Sequence, residues 1–359
     1  LLPNHGANPL QLYKAMQLQA PETIIDFSEN VNHLPFPLTL DVESLLPVIT
    51  AYPHPDGEPF LSAVATYHGV EKDEILLGNG AAEIFALLGN LLANKRALIV
   101  HPTFSEYEAT LAPHHVAFEH VVVDDIATYA LPMQTLREKI PYVSAIYLCT
   151  PNNPTGVLPP REDLQQIIEW AQATATLVVL DEAFLDWIDE EPSFITEAPN
   201  YDHVIVVRSM TKMYKMPGLR LGYAVANATL IQELTRFAAH WHINGVASVV
   251  GAKMLILHNY REKSIREVAV SRETTQAFLR AQGCMTTASQ TNYISFQLAQ
   301  PHESDAFYRF MLARGLVLRH SKNFRGMDGD WFRIGMKARA QMESFEQGMM
   351  AWQQHRLSL

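Results

Sequence analysis

Cysteine is almost missing from this chain: Cys149 and Cys284 are the only two among 359 residues. They lie far apart, and Cys149 falls inside an apolar strand pattern, so a buried free thiol is expected rather than a disulfide. Long apolar runs are missing too, and none approaches the roughly 20 residues that a bilayer-spanning helix needs. Clusters of Lys and Arg are absent, and the net charge is −11. That balance argues against a nucleic-acid partner, because phosphate contacts need grouped cations. No repeat or low-complexity tract is visible. The opening residues, Leu1-Leu2-Pro3-Asn4-His5, carry neither the basic nor the apolar stretch of a signal peptide. A cytoplasmic location, no membrane partner and no bound metal are the expectations.

The hydrophobic content of 48% is ample for globular folding, and the length suits two domains. From about residue 75, short apolar runs alternate with amphipathic stretches. The runs are 97–100, 145–149, 177–180, 204–207 and 221–226, and helix-like segments cover 81–92, 104–112 and 161–173. Near-continuous Val, Ile and Leu runs separated by helices predict an α/β fold with a mostly parallel sheet covered on both faces. Beyond about residue 228 the pattern is helical over 230–237 and 246–258. The last hundred residues read as a smaller α+β unit, with strands at 292–298, 316–320 and 331–336 and helices at 305–314 and 338–356.

The segments just past the apolar runs are chemically loaded. His101-Pro-Thr-Phe104 comes after the first, Thr150-Pro-Asn-Asn153-Pro-Thr-Gly156 after the second, Asp181-Glu-Ala-Phe184 after the third and Arg208-Ser209-Met-Thr211-Lys212 after the fourth. Ligands of open α/β sheets bind beyond the carboxyl ends of the strands, so these segments are expected to converge on one crevice. Lys212 suits Schiff-base chemistry with an aldehyde cofactor, provided its amine is made neutral by desolvation or nearby positive charge. Ser209, Thr211 and Arg220 suit that cofactor's phosphate. Asp181 ends an apolar strand, where an unpaired carboxylate is costly. It fits either a helix N-cap or the partner of a protonated ring nitrogen. Gly78-Asn79-Gly80-Ala81-Ala82 opens a helix whose backbone N–H groups can approach an anion.

The string Ser209–Tyr223, with Pro217-Gly218-Leu-Arg220-Leu-Gly222 inside it, resembles the cofactor-lysine region of fold-type I pyridoxal-phosphate enzymes of the class I/II aminotransferase family. It is most similar to the branch that holds threonine-phosphate decarboxylases and histidinol-phosphate aminotransferases. The resemblance spans essentially the whole chain. It implies a large domain over 40–250 with a seven-stranded, mostly parallel sheet, and a small domain formed by 1–39 and 251–359. It assigns the cofactor phosphate to Gly80, Ala81, Ala82, Ser209, Thr211 and Arg220. Ring stacking falls to Phe104, the phenolic oxygen to Asn153 and the ring nitrogen to Asp181. It also implies a homodimer with shared active sites, in which Tyr52 crosses to the partner's cofactor phosphate.

Three features bear on the reaction. His5-Gly6-Ala7-Asn8 and Asp26-Phe27-Ser28-Glu29-Asn30-Val31-Asn32 resemble segments of the threonine-phosphate decarboxylases, and Phe184 stands where the aminotransferases prefer tyrosine. His33 and Pro35-Phe36-Pro37 depart from the decarboxylase pattern. The implied substrate is a small phosphorylated amino acid, L-threonine O-3-phosphate, gripped by His5, Asn30, Arg319 and Arg333. The implied product is (R)-1-aminopropan-2-yl phosphate, used in cobalamin biosynthesis. An aminotransferase of the histidinol-phosphate type is the alternative, and a non-catalytic binding protein a third.

Overall fold

The computed structural model describes residues 2–3, 5–188 and 192–356. In chain order the strands are β1 (Ile25–Asp26), β2 (Ile75–Gly78), β3 (Arg96–His101), β4 (Ala117–Val122), β5 (Ala145–Cys149), β6 (Leu177–Asp181), β7 (Val204–Ser209) and β8 (Gly222–Val225). They continue with β9 (Met285–Thr286), β10 (Tyr293–Gln297), β11 (Leu316–Val317), β12 (Arg319–His320) and β13 (Trp331–Gly335). Seven of them form one sheet in the order β2-β8-β7-β6-β5-β3-β4. Only β8 runs antiparallel to its neighbours. The expected α/β architecture is therefore the one observed.

Side chains of a strand point alternately to its two faces. On β6, Val178 and Leu180 join one core cluster, whereas Leu177 and Val179 join the other. Strands β3, β5 and β7 divide in the same way. Helices cover both faces, so every position must be apolar, and this is why the strands read as unbroken Val, Ile and Leu runs.

The parallel strands β3, β5, β6 and β7 all end at the same edge of the sheet. Their loops are thereby delivered to one place. Behind that edge, Arg208 on β7 is buried with Glu182 and Asp186: Nε donates to Glu182 at 2.9 Å and Nη1 to Asp186 at 3.2 Å. Ser193 completes the network, accepting from Arg208 Nη2 and donating to Glu182. The network fastens the loop after β6 to the strand that leads to Lys212.

A second sheet, β12-β13-β10-β9, is built from the last hundred residues. The expected strand over 316–320 is divided. Leu316–Val317 pairs with Ile25–Asp26 near the amino terminus, whereas Arg319–His320 pairs with β13. The chain switches sheets at Leu318, and this brings the amino-terminal segment beside Arg319 and Arg333. The helix expected over 246–258 ends at Leu255. A 24-residue helix, His258–Ala281, comes next. Its buried positions are only Ser264, Val268, Thr275 and Leu279, which is too polar a face to stand out by hydrophobic period.

Removing Arg208 takes the countercharge from two buried carboxylates, so Arg208→Ala is expected to cost about 3–5 kcal/mol. Urea unfolding of the variant should show a clearly lower midpoint, and an unchanged midpoint would mean that water reaches Glu182 and Asp186.

Candidate active site

A cleft of about 290 Å³ lies at the carboxyl edge of the large sheet. The loops after β3, β5 and β7 supply Phe104, Asn153, Thr211, Lys212 and Arg220 to its wall. The second sheet supplies Arg319 and Arg333, and the amino-terminal segment supplies His5 and Asn30. Residues more than 300 positions apart thus share one lining.

Lys212 lies just past the end of β7. Its amine is lowered from its ordinary value to about 8, first by burial, then by the charges of Arg333 and Arg220; Glu29 and Asp181 oppose this. Of the two cations, Arg333 from the second sheet is the larger influence. At neutral pH a useful fraction of the amine is already unprotonated.

Asp181 closes β6 and is buried below the cleft. Burial raises its pKa to about 6, and hydrogen bonds from Tyr107 and the Ala183 backbone hold it back. Tyr107 Oη donates to Oδ2 at 2.5 Å and Ala183 N–H to Oδ1 at 3.0 Å. No α-helix starts at Asp181, since the next element is a short turn of helix at Leu185–Trp187. The helix-cap alternative therefore falls away. Tyr107 does not stand out in the sequence; its one available signal is its place one helical turn after Phe104.

Arg333 is buried on β13, with Nη2 donating to Ser28 O at 2.7 Å and Nη1 donating to Asn153 Oδ1. Its Nε has no partner, and among the described residues no carboxylate pairs with it. Because a guanidinium only donates, Asn153 must turn its oxygen to Arg333. Its amide N–H₂ is then left to donate elsewhere. Arg319 on β12 donates to Asn323 Oδ1 at 2.6 Å and lies over the Phe324 ring at 4.9 Å. Cα pairing across the strands sets Arg319 directly opposite Arg333. Asn30 is buried, and among the described residues its side-chain N–H₂ has no partner. His5 pairs with Glu106 at 3.0 Å at the cleft mouth, 6.0 Å from the Phe104 ring.

At the other end, Gly80 caps the helix Ala81–Leu91 with no side-chain cap. A Cβ on Gly80, whose φ is +77°, would lie 2.6 Å from Arg220 Nη2, and one on Gly222 would lie 2.7 Å from Ala81 N. Bare backbone therefore leaves room for Arg220 against a helix amino terminus, an arrangement suited to a phosphate. Thr211 lines the cleft, while Ser209 is buried and its hydroxyl accepts from Thr211 N–H at 3.3 Å. Phe184 packs edge-on against Tyr293 at 4.9 Å and lies 5.9 Å from Lys212 Nζ. It offers no hydroxyl there. Tyr52 stands apart: it is 83% exposed, beside Trp241, and outside the cleft of its own chain.

A buried neutralisable lysine, a buried carboxylate and a glycine-lined anion cradle together fit an aldehyde cofactor that bears a phosphate and a basic ring nitrogen. The chain belongs to the aminotransferase class I and II family, whose model matches residues 23–349. The family is pyridoxal-phosphate-dependent. A threonine-phosphate decarboxylase of Salmonella typhimurium is 30% identical over 94% of this chain and 93% of its own. A solved histidinol-phosphate aminotransferase from Clostridium acetobutylicum superposes with TM-score 0.84 at 25% identity, over 92% of this chain and 100% of its own. An L-threonine-O-3-phosphate decarboxylase from Porphyromonas gingivalis gives TM-score 0.76 at 25% identity, covering 87% and 93%. Among the described residues no helix is long and apolar enough to cross a membrane.

The Lys212 amine becomes reactive as pH rises through about 8. The rate at which the apoprotein takes up pyridoxal phosphate should rise with pH around that midpoint. Arg333→Gln removes a positive neighbour and should move the midpoint upward; a downward or absent shift would contradict the electrostatic account.

Proposed function

We propose that this chain decarboxylates L-threonine O-3-phosphate to (R)-1-aminopropan-2-yl phosphate and CO₂. The observation that carries this reading is the cross-strand pair Arg319 and Arg333, two buried guanidiniums facing one cleft. Like charges directly opposite on adjacent strands repel. Burial and the Arg333 charge together lower Arg319 to about 9. A substrate with two anionic groups relieves both arginines. Threonine phosphate brings both groups, a carboxylate and a phosphate, on the amino substrate itself; histidinol phosphate has a phosphate alone, and in transamination only the oxo-acid partner would carry two anionic groups.

Pyridoxal phosphate supplies an aldehyde for the substrate amine and a ring that takes up the electron pair released at Cα. Lys212 would hold the cofactor, with Arg220, Ser209, Thr211 and the backbone of Gly80, Ala81 and Ala82 at its phosphate. Phe104 would cover the ring, Asp181 would face the ring nitrogen, and Asn153 would donate its free N–H₂ to the phenolic oxygen. Arg319 and Arg333 orient the substrate through its anionic groups, with Asn30 adding a donor. His5, paired with Glu106 at the cleft mouth, would stand beside the substrate. When the carboxylate leaves as CO₂, Lys212, with its pKa near 8, is the group placed to return a proton to Cα.

The competing outcome is transamination, favoured by the likeness to a histidinol-phosphate aminotransferase. Incubation with L-threonine phosphate and no oxo acid separates the two. Sustained CO₂ release is expected, with the cofactor remaining in its aldehyde-derived form. Conversion of the cofactor to its amine form, discharged by 2-oxoglutarate, would overturn the reading. Arg319→Gln should lower kcat/KM on the order of 30-fold or more, the loss expected when a buried charge contact of about 2 kcal/mol or more is removed.

The functional unit is a homodimer, and the exposed Tyr52 serves the cofactor phosphate of the partner's site. Lys212→Ala and Tyr52→Phe homodimers should both be impaired. Mixed dimers of the two should regain one intact site, up to about half the activity per mixed dimer on simple counting of sites. No recovery on mixing and refolding would show that each subunit works alone.

A further inference from the structure

Three side chains converge beside the cleft without lining it. His101 ends β3, His120 lies on the adjacent β4, and Glu108 lies on the helix Glu106–Leu111 that comes after β3. The ladder pairs Ile99 with His120. His101 is two residues past Ile99, so both imidazoles leave the sheet on the same face, and the helix brings Glu108 to them. His101 Nε2 is 3.0 Å from His120 Nδ1 and 3.5 Å from Glu108 Oε1, and His120 Nδ1 is 4.0 Å from Glu108 Oε1. Tetrahedral zinc, bound at 2.0–2.1 Å by nitrogen and oxygen, sets its ligand atoms roughly 3.3–3.4 Å apart. The three separations straddle that value.

His101 Nε2 and His120 Nδ1 face each other at 3.0 Å, so two neutral imidazoles have one proton between them. Placed on His120, it leaves a His101 lone pair facing the Glu108 carboxylate. Placed on His101, it sends the His120 proton to Nε2, against Arg325 Nη2 at 3.4 Å. The adjoining cavity, about 350 Å³, is lined by Thr103, whose buried hydroxyl has no partner among the described residues.

We propose that His101, Glu108 and His120 bind a divalent transition metal of the zinc class, with the fourth position open to this cavity and filled by water. The ion takes a lone pair from all three ligands at once. Arg325 is exposed and long, so it can swing aside, which His101 cannot do. The site also has a link to the cofactor cleft. Glu108 is next in sequence to Tyr107, whose hydroxyl holds Asp181. The ion would therefore tie β3, β4 and the helix that carries Asp181's hydrogen-bond donor.

The test uses the pyridoxal-phosphate-loaded enzyme without a histidine tag, stripped of metal by a chelator and titrated with Co²⁺. Uptake of one ion per chain with tetrahedral d–d absorption, displaced by Zn²⁺, is expected. His120→Ala removes a partly exposed side chain and should weaken binding by more than about 100-fold, beyond the effect of losing an outer-shell partner. Its cofactor absorption should stay intact. Glu108→Gln serves the same purpose should His120→Ala fold poorly. Arg325→Gln should bind Co²⁺ several-fold more tightly, because a cation has been removed. No tetrahedral Co²⁺ spectrum in the wild-type enzyme, or unaltered uptake by His120→Ala and Glu108→Gln, overturns the proposal.

Discussion

The site is arranged around a lysine amine kept close to neutrality. Water would hold Lys212 protonated. Burial at the carboxyl edge of the sheet, aided by the Arg333 and Arg220 charges, removes that preference and brings it to about 8. The same burial acts oppositely on Asp181, which rises to about 6. Two groups less than one domain apart are thus displaced towards each other by one dry floor. That floor exists because helices cover both faces of the sheet. Tyr107 then limits the rise at Asp181.

The cofactor end and the substrate end are built from different materials. The cofactor end uses loops after consecutive parallel strands, a glycine-bounded helix start and Arg220. The end proposed for the substrate has Arg319 and Arg333 on antiparallel strands of the second sheet, with Asn30 and His5 from the amino-terminal segment. Two facing guanidiniums repel each other, and the doubly anionic substrate proposed above would relieve both. Phe184, packed on Tyr293 where a hydroxyl would otherwise stand, leaves Asn153 as the neutral donor near Lys212.

Much of the large sheet can be read directly, because buried parallel strands have a plain signature. The strand over 145–149 is observed with those bounds, and the runs at 97–100, 177–180 and 204–207 lie inside longer strands. The loaded loops are legible for the same reason: each comes just after an apolar run. Other features leave weaker traces. The helix His258–Ala281 hides its buried face behind Ser and Thr. The break at Leu318 needs two sheets to explain it. Tyr107 looks like any core aromatic until its hydroxyl is seen on Asp181. His101 appears in a motif, but its neighbours Glu108 and His120 lie 7 and 19 residues on.

Local sequence determined the strand runs, the turns after them and the chemistry that Lys212, Asp181 and Arg220 can perform, because these depend on residue type and short spacing. Tertiary structure alone decided that Arg333 outweighs Arg220 at Lys212, that Arg319 stands opposite Arg333, and that His5 meets Glu106. Those relations depend on distance through space between residues up to 121 positions apart, and electrostatic and hydrogen-bonding forces act on that distance and not on separation along the chain.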